Sequence, residues 1–232
     1  MALSGIFARG VALVGAALIL KRRWGVGEAD QAMGTAPAIP PAKPQAIPTL
    51  KMPTAKGWEA GRTPVAAPGL KVNGFAMGLK HPRWIQTMPN GDVLVAEALS
   101  EPGGIKSVFD YAMQSTMKRA AASGVSPNQI TLLRDADGDG VAEVRHVYKD
   151  GLNQPFGMAL VGDTFYVGNT DGVLAFPHIE GATRLEGEGR KLVSFKPAGH
   201  WTRSLLPSPD GKKLYAGVGS LSNIADDGMA VE

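Results

Sequence analysis

Two sets of residues in this chain have types and spacings that could do chemistry. The first is His81, Gln154 and His200, each just ahead of an alternating apolar run that leads into a turn. The runs are "KHPRWIQTMPNGDVLVAEA" (80–98), "NQPFGMALVGDTFYVGNTDGVLAF" (153–176) and "GHWTRSLLPSPDGKKLYAGVGS" (199–220). Imidazole is the side chain whose ordinary pKa lies nearest neutrality, so a positioned histidine is a candidate proton acceptor. Taken singly, each of the three also has a plain structural reading, a polar strand-end residue bonding to backbone. Their common position in a repeat is what points to a site.

The second set lies in "LLRDADGDGVAEVRHV", which carries Asp135, Asp137 and Asp139, then Gly140 and Glu143. Carboxylates at alternate positions turn several oxygens into one concave loop, which suits a hard cation such as calcium. The pattern departs from an EF-hand, because the twelfth position is His146 rather than a bidentate Glu. It is closer to a short aspartate loop between two strands in which Glu143 supplies the last carboxylate. The expected role is structural rather than catalytic, and a metal-free acidic turn is the alternative.

The elements that must position these residues follow from the turns. Asn-Gly and Asp-Gly between apolar runs are hairpin signals. The turn glycines fall at 91, 162 and 211. The first interval holds an inserted segment, "GGIKSVFDYAMQSTMKRAAASGVSPNQ", in which Ile105, Val108, Phe109, Ala112, Met113 and Met117 follow helical spacing and Gly124 is the expected stop. With that insertion (about 101–124) removed, the repeat is about 45 to 50 residues, within the range of four-stranded propeller blades. The sequence therefore predicts an all-β chain: two to three blades of a propeller, one inserted helix and an N-terminal hydrophobic segment. In a propeller the innermost strand of each blade lines the central channel, so His81, Gln154 and His200 should converge at its mouth.

Composition bounds the rest. The chain has 232 residues, 30 Gly, few aromatics and no Cys, which favours short strands and turns and excludes disulfides and thiolate metal sites. The net charge of +3 is misleading. Residues 1–69 hold eight Lys/Arg against three Asp/Glu, whereas residues 70–232 hold sixteen against eighteen. The basic excess belongs to the tail, no basic stripe interleaves with aromatics, and nucleic acid is excluded as a partner.

Three divisions follow: 1–33, 34–69 and 70–232. "GVALVGAALIL" (10–20), closed by "KRRW", reads as a signal or membrane-anchor segment, with a buried helix as the alternative. Lys21, Arg22 and Arg23 would favour a cytoplasmic C-terminal side. Residues 34–69 hold eight of the seventeen prolines and read as an extended tether between membrane and domain.

The run "ITLLRDADGDGVAEVRHVYKDGLNQPFGMAL", followed by "GHWTRSLLPSPDGKKLYAGVGS", resembles the PQQ-dependent glucose/sorbosone dehydrogenases, closest to their bacterial sorbosone branch. The resemblance covers roughly residues 70 to 232, with the Asp-rich loop, "GLNQPFG" and "GHWTRS" in order. It implies a six-bladed propeller with PQQ over the central channel beside a calcium ion, oxidising a sugar hydroxyl or hydrated aldehyde. By position His200 matches the family's base, and Gln154 matches a glutamine that contacts PQQ. Arg203, in the same motif as His200, becomes a further cofactor contact. The electron acceptor would be a quinone or a cytochrome, and the location periplasmic, tethered to the inner membrane if the N-terminal segment is kept.

Two departures stand against that pattern. The aspartate that supports the histidine in the glucose enzymes is here Ser220. The family's PQQ-gripping cations and cofactor-calcium ligands lie further along than "NIADDGMAVE", so these residues are expected to be the N-terminal portion of a longer enzyme, inactive alone. The rival readings are a calcium-dependent lactonase-type propeller and a non-catalytic binding propeller. The lactonases place carboxylates and Asn where this chain has His81, Gln154 and His200, which argues against the first. The second needs no base.

Overall fold

In the computed structural model the chain separates into two units, Met1–Leu50 and Lys51–Glu232. The structure describes residues 33–37, 53–59, 61–101, 104–197 and 199–221. The apolar run 10–20 and the C-terminal "NIADDGMAVE" lie outside them. Among the described residues no helix is long and apolar enough to cross a membrane.

The second unit is built from antiparallel meanders. Strands β1 (Pro82–Thr87), β2 (Val93–Glu97), β3 (Gln129–Arg134) and β4 (Val144–Lys149) form one four-stranded sheet in chain order. Strands β5 (Met158–Val161), β6 (Thr164–Asn169), β7 (Gly172–Pro177) and β8 (Arg190–Ser194) form a second, and β9 (Arg203–Pro207) pairs with β10 (Leu214–Val218). Each sheet's first strand, β1, β5 and then β9, lies beside its counterpart in the next sheet. Successive four-stranded meanders joined in this way are propeller blades, and the described residues make two blades and the inner hairpin of a third.

The turns obey their sequences. Gly91 N–H donates to Met88 O at 3.0 Å and Gly211 N–H to Ser208 O at 2.9 Å, with both glycines at positive φ. Pro89 and Pro209 stand second in these turns, and their fixed negative φ selects a type I turn closed by a left-handed glycine. Between β5 and β6 only Gly162 and Asp163 intervene.

Period-two alternation decides where the core sits. Met158, Leu160, Phe165, Val167, Leu174 and Phe176 of the second blade face Leu94, Ala96, Ile130 and Leu132 of the first. The intervening Ala159, Tyr166 and Val173 pack instead with Leu205 and Leu214 of the third. The core therefore lies between blades, and the middle blade is buried on both faces, which explains its nearly continuous apolar strands. Backbones meet closely where the second blade touches the third. A Cβ on either Gly157 or Gly168 would lie 2.6 Å from Arg203 O, and Gly157 N–H donates to that same oxygen at 2.9 Å.

The inserted segment forms α1 (Val108–Arg119), capped by Ser107, whose hydroxyl accepts from Asp110 N–H at 3.1 Å. It ends earlier than the expected stop at Gly124. Ala121 takes φ +52° and Ala122 N–H reaches back to Met117 O at 2.9 Å, so an alanine performs the left-handed turn usually given to glycine. Gly124 instead donates to Ser100 O and packs against Leu99, tying the insertion to the first blade. Within the proline-rich segment Ala55 is also tied down: its N–H donates to Arg119 O at 3.1 Å.

Candidate functional site

Because each blade is a meander, all inner strands start at one edge of the molecule, and the loops before them share that edge. His81 sits directly before Pro82 with φ +53°, and its carbonyl accepts from Ala98 N–H at 3.2 Å. Gln154 sits directly before Pro155 with φ +47°. Both are non-glycine residues in the left-handed region, where a following proline adds crowding. The shared strain and shared proline establish that these two positions are structural equivalents. In the third repeat the left-handed position moves one residue earlier, to Gly199 at φ +62°, ahead of an exposed His200.

Ring contacts show that the three strand starts converge. Trp84 and Phe156 lie 5.2 Å apart between centroids, and Phe156 and Trp201 lie 6.4 Å apart, edge to face. The Arg83 guanidinium stands 5.3 Å over the Trp201 ring while donating to Ala98 O at 3.0 Å. An aromatic row thus crosses all three blades beside His81, Gln154 and His200, with a cation on it.

A hydrogen-bond network fixes these loops. The Gln154 side-chain amide donates to Leu99 O at 2.9 Å, and its backbone N–H donates to Asn128 Oδ1 at 2.9 Å. Ser126 Oγ donates to the same Asn128 oxygen and accepts from Leu99 N–H. Glu97 is fully buried, and its carboxylate accepts from Lys80 N–H, Thr131 Oγ1 and Gln129 Nε2. Sequence reasoning passed over Glu97, Ser126 and Asn128. The available signal was the acid that closes the otherwise apolar run "VLVAE".

Arg203 opens β9 and is 1% exposed. Its Nη1 donates to His200 O at 2.6 Å and Thr202 O at 3.0 Å, and its Nη2 to Lys196 O at 3.4 Å. The guanidinium also lies 5.7 Å from the Phe195 ring, and its Nε has no hydrogen-bond partner among the described residues. Burial pushes its pKa below the usual arginine value. Arg203 therefore pins the loop that carries His200. From the other side His200 N–H donates to Ser220 O at 3.0 Å.

The Asp-rich loop joins β3 to β4. Asp135, Asp137, Asp139 and Glu143 each bring one carboxylate oxygen within 4.8 Å of the others. Backbone amides shape the loop: Gly138 and Gly140 donate to Asp135, Asp139 to Asp137, and Val141 to Asp139. The side chain of Asn73 braces it through Gly140 O at 2.7 Å. Four converging hard oxygens fit calcium. The meander places this loop at the opposite edge from His200, however, separated by the length of a six-residue strand, roughly 20 Å. An ion held there would brace the first blade and could not touch a substrate at the mouth.

The chemistry of the mouth fits a flat anionic cofactor such as PQQ: an aromatic row, the Arg83 cation, and a Glu97 carboxylate that is already engaged beneath it.

No protein-family model matches the chain, and no curated protein matches it significantly. Among solved structures it is similar to an iodide structure of Trichoderma reesei Carbohydrate-Active Enzymes Family AA12, with 22% identity, 68% of this chain and 34% of that one covered, and a TM-score of 0.49. It is also similar to the holo form of the pyranose dehydrogenase PQQ domain from Coprinopsis cinerea, with 17% identity, coverage of 66% and 31%, and a TM-score of 0.47. The chain spans about a third of the length of each.

Proposed function

We propose that the protein takes part in PQQ-dependent oxidation of a sugar, with His200 as the base. The observation that carries this reading is the convergence of three blade starts on one edge, where an aromatic row meets His81, Gln154 and His200. The resemblance of "GLNQPFG" and "GHWTRS" to the sugar dehydrogenases supports it. When bound, PQQ supplies a quinone carbon that accepts hydride from the substrate carbon.

The chain's own residues do the rest. His200, held through its carbonyl by Arg203 and through its N–H by Ser220, takes the hydroxyl proton onto a ring nitrogen. Gln154 is held in place by one Nε2 hydrogen donated to Leu99 O, and its second amide hydrogen is the donor we assign to a cofactor oxygen. Trp201 and Phe156 offer apolar faces for a flat ring. Calcium in the Asp-rich loop has a structural part. A calcium-dependent hydrolase reading is weakened by that same geometry, because among the described residues the carboxylate cluster lies far from the mouth. We place the site of action in the periplasm on the signal reading of residues 10–20; as a retained anchor, Lys21, Arg22 and Arg23 would favour the cytoplasmic side.

The test uses protein produced from its native gene and supplied with PQQ and calcium. His200→Ala should leave PQQ affinity intact and lower dye-linked sugar oxidation by roughly 10²- to 10⁴-fold. Gln154→Ala should weaken PQQ while sparing turnover at saturation. Ser220→Asp, which introduces the carboxylate that the resembled glucose enzymes carry at this position, should raise the rate. A His200→Ala protein that oxidises sugar at the parent rate would end the assignment.

A further inference from the structure

The proline-rich segment and the inserted helix are the two features that the reading above leaves unused, and they meet in one place. Ala55, tied to the end of α1 at Arg119, leads into Lys56, Gly57 and Trp58. Those residues form one wall of a groove of about 990 Å³. The opposite wall is the approach to β1, Leu79 to Pro82, and Val125 to Pro127 close the remaining side. The groove therefore runs up to His81, the first of the three mouth residues.

Its chemistry is one-sided. Lys56, Lys80 and His81 line it, and among the described residues no acidic one does. Neither lysine forms an ion pair among the described residues. Glu59 pairs with Arg62 at 3.1 Å, and Glu97 is buried behind the backbone of Lys80. Trp58 is 66% exposed, so its indole presents a flat apolar face in a concave setting.

We propose that this groove binds the carboxylate-bearing ring of an acidic sugar, a uronate, next to the channel mouth. The two ammonium groups take the carboxylate, the Trp58 face covers the ring's C–H side, and the neighbouring hydroxyls point toward the mouth. The linker thereby becomes one wall of a substrate subsite, held in place by the end of α1. The identification of the ring as a sugar rests on the dehydrogenase reading; the anion selectivity of the groove does not.

Calorimetric titration of the protein, without PQQ, with sodium D-glucuronate and with D-glucose tests this. Glucuronate should bind at least about tenfold more tightly than glucose, by charge-assisted hydrogen bonds to the lysines. That preference should shrink as salt is raised. Lys56→Gln/Lys80→Gln should bring glucuronate down to the level of glucose and leave glucose unchanged, and Trp58→Ala should weaken both. All three side chains are exposed, so the fold should be retained. Equal affinity for the two sugars, glucuronate binding unchanged in the double lysine variant, or no binding of either sugar would overturn the proposal. Because the titration needs no turnover, failure of the His200 assignment leaves it intact. Sugar oxidation that depends on His200 with no glucuronate binding would sink the groove alone.

Discussion

Replacing Arg203 with Met removes a cation from beneath the candidate base while keeping most of its volume, and the structure sets opposing effects against each other. The wild-type side chain makes two short charge-assisted bonds, to His200 O and Thr202 O, and one long one to Lys196 O. Bonds involving a charged partner contribute about 1.5 to 3 kcal/mol each, so the two short ones anchor the loop by roughly 3 to 6 kcal/mol. Against this stands the cost of burying a guanidinium that has no carboxylate partner among the described residues, several kcal/mol per ion. The depressed pKa of Arg203 has this cause. The three carbonyls belong to residues that are exposed or half-buried, so water can replace the lost donors. The two effects nearly cancel, and Arg203→Met should change stability by no more than about 2 kcal/mol, a shift of roughly 4 to 8 °C in Tm. Turnover should suffer more, because a base displaced by about 1 Å can lose on the order of 100-fold. The assay combines thermal melting, PQQ titration by fluorescence quenching, and dye-linked oxidation at saturating PQQ. The expected pattern is a small Tm change, PQQ affinity near the parent value and kcat down by roughly 10- to 100-fold. Lost PQQ affinity with kcat preserved at saturation would refute the argument and make Arg203 the cofactor contact expected from its place in the motif. Unchanged kcat and unchanged affinity would show that the loop holds itself.

Two further changes probe the frame around the site. Asp137→Asn/Asp139→Asn should weaken calcium binding in calorimetry and abolish most of the calcium-dependent rise in Tm, without altering sugar turnover at temperatures where the fold is intact; identical titrations for parent and variant would reduce the loop to a turn. Asp92, at the β1–β2 turn, is buried and holds Arg134 of β3 through Oδ1–Nε at 2.6 Å and Oδ2–Nη2 at 2.8 Å. The Arg134 hydrogen bond, opposed by burial and aided by Asn90, keeps the Asp92 carboxyl below its usual value. A depressed folded pKa contributes stability that is full above the unfolded value, about 3.9, and is lost as pH falls through the folded value. Asp92→Asn should therefore cost about 1 to 3 kcal/mol near neutrality, reduced from the fully buried case because Arg134 is partly exposed, and should flatten the acid limb of a Tm-against-pH curve. A parallel acid limb in the variant would show that other carboxylates drive acid unfolding.

Local chemistry was legible in the sequence because it acts over a few residues. Turn signals at 91, 162 and 211 located the hairpins, and alternation gave the strand faces. The helical spacing of Val108, Ala112 and Met113 located α1, although its end shifted to Ala121, where backbone hydrogen bonds outweighed the preference for glycine. The four carboxylates of the acidic loop were visible as a group because eight residues of separation or fewer keep them together on any tight loop. The tertiary structure decided what depends on residues distant in the chain. It set the acidic loop and the mouth at opposite edges, since a meander reverses direction at each strand and only the full count of strands places a loop. It turned the buried Arg203 toward three carbonyls, buried Glu97 under Lys80, and joined Trp84, Phe156 and Trp201 into one row from three different blades. It also laid residues 55–58 against the end of a helix more than sixty residues away and made a groove of the gap. Pattern and propensity are local, whereas burial, counter-charge and concavity arise only when separate blades and loops pack, and these are what distinguish a chemical site from a polar strand end.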